Sequence, residues 1–153
     1  MKALTTLLVV GMFLTTVTMA DDADDAKAVV LEHFATLNAG NMANHIEQHH
    51  MPQLNRFTRG GLRWHFGSLD EQKNQIQNSV NNGSVWNLQL RDIEVNVYGN
   101  TAVLSCYAVG NILRGNGNRV SVTDRVSVTM VKQGGQWKEV HQHFSPLRIP
   151  PLQ

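Results

Sequence analysis

Cysteine is nearly absent from these 153 residues: Cys106 stands alone, so no disulfide within the chain can hold the fold together. Stability has to come from packing, and with no base or redox motif beside it Cys106 reads as a buried, inert thiol. Net charge is lacking too. With Lys2 set aside, 12 Lys and Arg face 12 Asp and Glu, which leaves no basic excess to attract a nucleic acid. No linker or repeat divides the chain. Its longest mostly apolar run, Leu4 to Val17, falls short of the roughly 18–20 residues that span a membrane comfortably.

That run has a different use. Lys2 precedes it and the small residues Thr18 and Ala20 flank Met19 after it, which are the three parts of a secretory signal. Cleavage is expected after Ala20, just ahead of the acidic cluster Asp21, Asp22, Asp24 and Asp25, and no cysteine lies there to accept a lipid. The reading is a signal peptide over 1–20 and an exported protein, periplasmic or secreted, with no membrane attachment once the leader is gone. Residues 21–153 number 133, enough for one domain that buries roughly two thirds of its unfolded surface.

Within that domain Val29, Val30, Phe34 and Leu37 recur at helical spacing, and Gly40 supplies a stop, which predicts a helix from Asp25 to Asn38. A second short helix is expected over Met42 to His49, and a short strand from Gln53 to Thr58 before the Gly60-Gly61 turn. Ser68 with Glu71 three residues on makes a capping-box pattern that opens a third helix, closed by Gly83. The period then changes to two. Strands are predicted over Val85 to Tyr98, Thr101 to Leu113, Arg119 to Lys132 and Trp137 to Ser145, with glycine-rich turns between them. In the first of these the apolar parity switches between Leu90 and Ile93, so a bulge is expected near Arg91-Asp92.

The stretch Thr123-Asp124-Arg125-Val126, the Gly134-Gly135 turn and the run Trp137 to Pro146 resemble the closing hairpin of SnoaL-like domains in the nuclear-transport-factor-two-like superfamily. The same hairpin, with the tail Pro150-Pro151-Leu152-Gln153, is similar to the association domain of calcium/calmodulin-dependent protein kinase II. The resemblance covers essentially the whole chain after the leader. It implies an α+β, cone-shaped fold in which N-terminal helices pack on a curved antiparallel sheet and leave a cavity between them.

Function is a separate question, because this fold carries unrelated activities. Ketosteroid isomerase-like members imply a phenol in the first helix and a carboxylate base near the first strand; here Phe34 has no hydroxyl, and no Asp or Glu occurs from Gln48 to Leu69. Polyketide-cyclase-like members imply a cavity carboxyl, and the strand carboxylates on offer are Asp92, Glu94, Asp124 and Glu139, each read as solvated or structural. The kinase association domain implies clustered arginines, of which Arg125 remains, with Val109 and Phe144 at the other basic positions.

Histidine is the remaining chemistry. His45 and His49 stand four apart, a spacing that places two imidazoles on one helical face, with His50 adjacent; lacking a third ligand in sequence they read as a solvated cluster, and no metal or cofactor is assigned. His33 and His65 are ambiguous. His141 and His143 alternate onto one side of the last strand with Trp137 and Glu139, beside the strand that carries Arg125. These three form the candidate catalytic set, a base and an anion-stabilising cation, provided that Arg125 and an imidazole open into the cavity. Strand parity sets Arg125 opposite Val122, Val126 and Val128, so that condition requires a bulge near Asp124. Phe34, Phe57, Trp64, Val109 and Phe144 are the candidate ligand walls.

Three functions remain open: a module binding a small, largely apolar molecule, a histidine-based isomerase, cyclase or hydrolase, and a structural assembly domain. Thr101 to Leu113 is apolar on both faces, which predicts a homodimer through the sheet.

Overall fold

The computed structural model describes residues 19–147, with side chains from Asp22 onward. Nearly all of the expected leader and the whole of the Pro150–Gln153 tail lie outside the described residues. The element order is α1 (Met19–Asn38), α2 (Met42–His49), β1 (His50–Phe57), β2 (Arg63–Phe66), α3 (Leu69–Asn81), β3 (Val85–Tyr98), β4 (Thr101–Leu113), β5 (Arg119–Gln133) and β6 (Gln136–Pro146). The strands form one sheet in the order β2-β1-β6-β5-β4-β3. The class is α+β, with the helices on one face of the sheet.

The expected antiparallel sheet is in fact mixed. β3 to β6 form an antiparallel meander, but β1 lies parallel to β6, pairing His50 with Glu139 and Phe57 with His143. Parallel neighbours need a long crossover rather than a hairpin, and here most of the domain separates the two strands. No local turn signal announces such a partner. β2, in which Trp64 and Phe66 sit, is likewise a strand that no periodicity marked; it closes the sheet by pairing with β1.

α1 starts earlier than Asp25 and carries the acidic cluster in its first turns, where carboxylates favour the positive end of the helix dipole. Asp22 there pairs with Lys132 of β5. At the other end the Gly40 backbone takes a left-handed turn at φ 69°, and Asn38 bridges to β3, accepting from the Leu88 N–H at 3.0 Å and donating to its carbonyl at 2.8 Å. α3 begins close to the capping pattern: Ser68 Oγ accepts from the Glu71 N–H at 3.2 Å, while the Glu71 carboxylate reaches one residue past the cap to take the Gly67 N–H at 2.7 Å.

The main core lies between α1 and the sheet. Ala26, Val30 and Phe34 meet Leu104, Val126, Val128 and Met130, all nearly inaccessible to water, and each of these side chains larger than alanine contributes roughly 1.5–3 kcal/mol on burial. A smaller cluster, Met42, Ala43 and Ile46 with Ile76, joins α2 to α3.

Two bulges decide which side chains face this core. One falls in β3 between Arg91 and Glu94, with Asp92 at φ 50°, and it keeps Leu90, Val95 and Val97 on the inner face. The other is in β6, where Thr129 pairs with His141 but Met130 pairs with Glu139, leaving Val140 as the extra residue. Before it Trp137 and Glu139 point inward; after it Gln142 points inward and His141 and His143 are turned to the opposite face.

Gly110 marks the tightest backbone approach in the sheet. It sits at φ 144° against Leu88 of β3, and a Cβ there would lie 2.0 Å from the Asn87 carbonyl oxygen. Gly110→Ala is expected to destabilise the domain by about 3 kcal/mol or more, since backbone must move to admit the methyl. Urea unfolding of the purified variant checks this.

Candidate functional site

A cavity of about 220 Å³ opens between the helices and the inner face of the sheet. Its walls are mostly apolar and include Phe34, Leu37, Trp64, Trp86, Ile112 and Phe144. The buried end is different in kind, because His33 of α1 and His50 and Arg56 of β1 also line it.

His33 falls on the inward stripe of α1 beside Val30 and Phe34, and it is 4 % exposed. Its Nδ1 donates to Glu139 Oε1 at 2.8 Å, and Glu139 itself is inaccessible to water. Gln142, one turn of the pleat beyond the β6 bulge, donates through its amide to Glu139 Oε2 and to His50 Nε2, the latter at 3.1 Å. Its amide oxygen accepts from Arg56 Nε. On the far side Gln72 of α3 donates to the Met51 and Pro52 carbonyls, which leaves its Oε1 to accept from His50 Nδ1 at 2.7 Å.

These bonds assign the protons. His50 carries its proton on Nδ1 and presents a lone pair at Nε2, so it is a neutral ring in one tautomer. Burial, outweighing the attraction of Glu139, holds its pKa down at about 3. Burial would push the Glu139 carboxyl up, but His33, by charge and hydrogen bond, together with His50 and Gln142 brings it down to about 2, so it stays an anion. Burial lowers Arg56 to about 10, against the pull of Glu139, and the guanidinium stays cationic at neutral pH. With Nδ1 tied to Glu139, the free nitrogen of His33 is Nε2, on a ring that lines the cavity.

Toward the open end, where Arg114 is exposed, Arg59 clamps the buried carboxylate of Asp124 at 3.0 and 3.1 Å and also donates to the Ser121 carbonyl. Asp124 is thereby a structural ion pair that fixes the loop after β1 to β5.

The candidate catalytic set is not brought into this cavity. β5 has no bulge near Asp124, so Arg125 keeps its outward parity, paired across the sheet with Tyr107 and Ser145. The Val140 bulge sends His141 and His143 outward as well, where both rings contact Phe57 at centroid distances of 5.9 and 5.5 Å. The expectation that an imidazole of this pair and Arg125 share one concavity is corrected: all three lie on the outer face. Of the candidate ligand walls, Phe34, Trp64 and Phe144 line the cavity, whereas Phe57 and Val109 do not.

What parity reasoning missed is His33, His50 and Glu139. Signals for two of them existed: His33 shares the apolar stripe of α1, and Glu139 shares the parity of buried Trp137. The expected solvated histidine cluster on α2 is also corrected, since His49 and His50 are 1 % and 2 % exposed. Cys106 is buried as expected; burial, and then Glu139, push its thiol up to about 11.

The buried rings make stability acid-sensitive. Burial, and then His33, lower His49 to about 4, and His50 lies at about 3, against 6.5 in an unfolded chain. Above pH 6.5 both states hold these rings neutral and stability is complete. As the pH falls below 6.5 the unfolded chain takes up protons that the native state refuses, and below 4.5 the loss of ionised Glu139 in the unfolded chain adds to this. Urea titrations between pH 6 and 4.5 should show stability falling at a slope approaching two protons, about 2.7 kcal/mol per pH unit. His49→Leu should roughly halve that slope.

The geometry can be set beside known proteins. A candidate dehydratase of the NTF2-like family from Streptomyces avermitilis superposes with a TM-score of 0.72 at 18% identity, covering 86% of this chain and 100% of that one. A candidate calcium/calmodulin-dependent kinase II association domain from Exiguobacterium sibiricum gives 0.69 at 15%, covering 84% and 95%. The kinase hub homology domain of Chlamydomonas reinhardtii gives 0.63 at 20%, covering 83% and 98%. Among curated proteins none matches significantly. These likenesses are of fold, and the SnoaL-like domain model matches residues 26–149, so the chain belongs to the SnoaL-like family.

Proposed function

We propose that the cone is the active site of an acid–base enzyme, an isomerase or lyase, acting on a small and mainly apolar molecule. One observation carries this: a buried imidazole, His33, is held through Nδ1 by an ionised carboxylate while its other nitrogen is left to a mostly apolar cavity whose wall also carries Arg56. That is the arrangement a general base needs, with Glu139 as the positioning residue that fixes the tautomer and stabilises the imidazolium once formed. The cavity is smaller than the roughly 300–1,000 Å³ of sites for drug-sized ligands, which fits a compact substrate.

In the chemistry proposed, His33 Nε2 takes a proton from a carbon next to a carbonyl. The electron pair moves onto the carbonyl oxygen, whose negative charge faces the Arg56 guanidinium. The imidazolium then returns the proton, either to another carbon, which isomerises the substrate, or to a β-hydroxyl that leaves as water. The leader read in residues 1–20 would place this reaction outside the cytoplasm.

The check begins with a thermal-shift panel of small cyclic ketones, aromatic ketones and β-hydroxy ketones, since a ligand of the folded state raises its apparent stability. A hit incubated in D₂O should exchange the proton next to its carbonyl. His33→Gln should slow that exchange by about 10²–10⁴-fold while binding persists. A ligand that binds without any exchange in the wild type would reduce the cone to a binding site.

A second reading concerns the outer face of the sheet, where Val103 and Tyr107 of β4 and Phe57 of β1 are each nearly 40 % exposed. We propose that a second copy covers it. Light scattering at micromolar concentration should give a dimer that Tyr107→Glu dissociates, and a wild-type monomer would rule it out.

A further inference from the structure

Among the described residues His49 departs furthest from the pairing of buried polar groups. It is 1 % exposed, and both ring nitrogens lack a hydrogen-bond partner among the described residues. Gln75 and Trp137 each have one such orphan atom, whereas His49 has two. Leaving a buried polar group unpaired costs roughly 1–3 kcal/mol, so an imidazole in this state is short of a ligand.

The surroundings are suited to one. His45, one turn earlier on α2, stacks against His49 with ring centroids 6.4 Å apart and planes 24° apart. Glu32 reaches across from α1. One donor atom from each of Glu32, His45 and His49 lies within 4.8 Å of the other two. The paired histidines on one helical face thus acquire, from the neighbouring helix, the third ligand that sequence spacing did not supply. A second such trio, His33, His50 and Glu139, has its donors hydrogen-bonded already and belongs to the cavity.

We propose that Glu32, His45 and His49 bind one divalent transition-metal ion of the zinc type between α1 and α2. Two imidazoles and a carboxylate are a ligand set zinc accepts, with a fourth position open to water. At metal–ligand distances near 2.0–2.2 Å, tetrahedral donors stand about 3.3 Å apart, so the trio must contract by up to about 1.5 Å. His49 is fixed by packing, and the contraction falls to the other two. Glu32 is exposed, and His45 gives up only surface contacts, with Asn41 and Gln48 at 2.9 Å each. The ion would satisfy one orphan nitrogen of His49 and tie the first two helices together beside, but outside, the cavity.

The experiment uses the purified full chain stripped with a chelator and titrated with zinc chloride against a chromogenic competitor. One equivalent should bind, and the melting temperature should rise with zinc and fall again with chelator. His45→Ala and Glu32→Gln alter accessible side chains, so both should fold; each should weaken zinc binding by about 100-fold or more, beyond the roughly 10–100-fold that loss of an outer partner costs. His65→Ala, at an exposed histidine on β2, should bind as the wild type does. Cobalt in place of zinc should give visible absorption that disappears in His45→Ala. The proposal is overturned if the wild type takes up no stoichiometric zinc, or if His45→Ala and Glu32→Gln bind it unchanged. It is equally overturned if His33→Gln alone abolishes binding, since the ion would then sit in the cavity.

Discussion

An ionised carboxylate with no access to water is the constraint on which this structure depends. Stripping a carboxylate of solvent costs several kcal/mol, and only close, well-directed partners offset it. Glu139 collects them from His33 on α1 and from Gln142 three residues further along β6, and Gln142 also satisfies the bare Nε2 of His50 at the start of β1. Gln142 is in turn held by Arg56, and His50 by Gln72 of α3. Helix layer, parallel strand and meander are therefore joined at one point. Removing any partner leaves the remaining polar groups buried and unsatisfied, so the network holds or fails as a unit.

The same point explains the parallel strand. β1 fully buries little apolar material beyond Leu54 and leans on β6, with β2 on its other side. The His50–Glu139 pairing begins that alignment, and the register then slips before Asn55 meets His141. A long-range pairing anchored by polar side chains carries no periodic signature, which is why the antiparallel meander was legible while the short strand expected from Gln53 to Thr58 gave no sign of its parallel partner. The second helix, by contrast, could be read because the Met51-Pro52 step bars its continuation, and in the structure His50 begins an extended stretch.

Legibility failed at the site for a reason one residue wide. The parity switch in β3 could be read because apolar residues flank it on both sides, Leu90 before and Ile93 after. In β6 the extra residue is Val140, set among Glu139, His141, Gln142 and His143, and polar neighbours give no parity to compare. Carrying the alternation straight through assigns the wrong histidines to the cavity. A one-residue slip turns every later side chain to the other face, so the bulge puts His141 and His143 on the outer surface rather than the inner one, and Arg125, whose face on β5 hung on a bulge near Asp124 that does not form, lies outward with them.

What the bulge excludes from the cavity it supplies to the network. By turning His141 and His143 away, it brings Gln142 inward at the spot where a carboxamide can donate to both Glu139 and His50. A residue that both donates and accepts is needed there, because Glu139 and His50 Nε2 only accept and Arg56 only donates. A histidine at the same position would offer one donor where two are required. The polar end of the cone thus depends on the irregularity of β6 as much as on the identity of its side chains. His33 can then be bound to the scaffold through one nitrogen while the other faces the cavity.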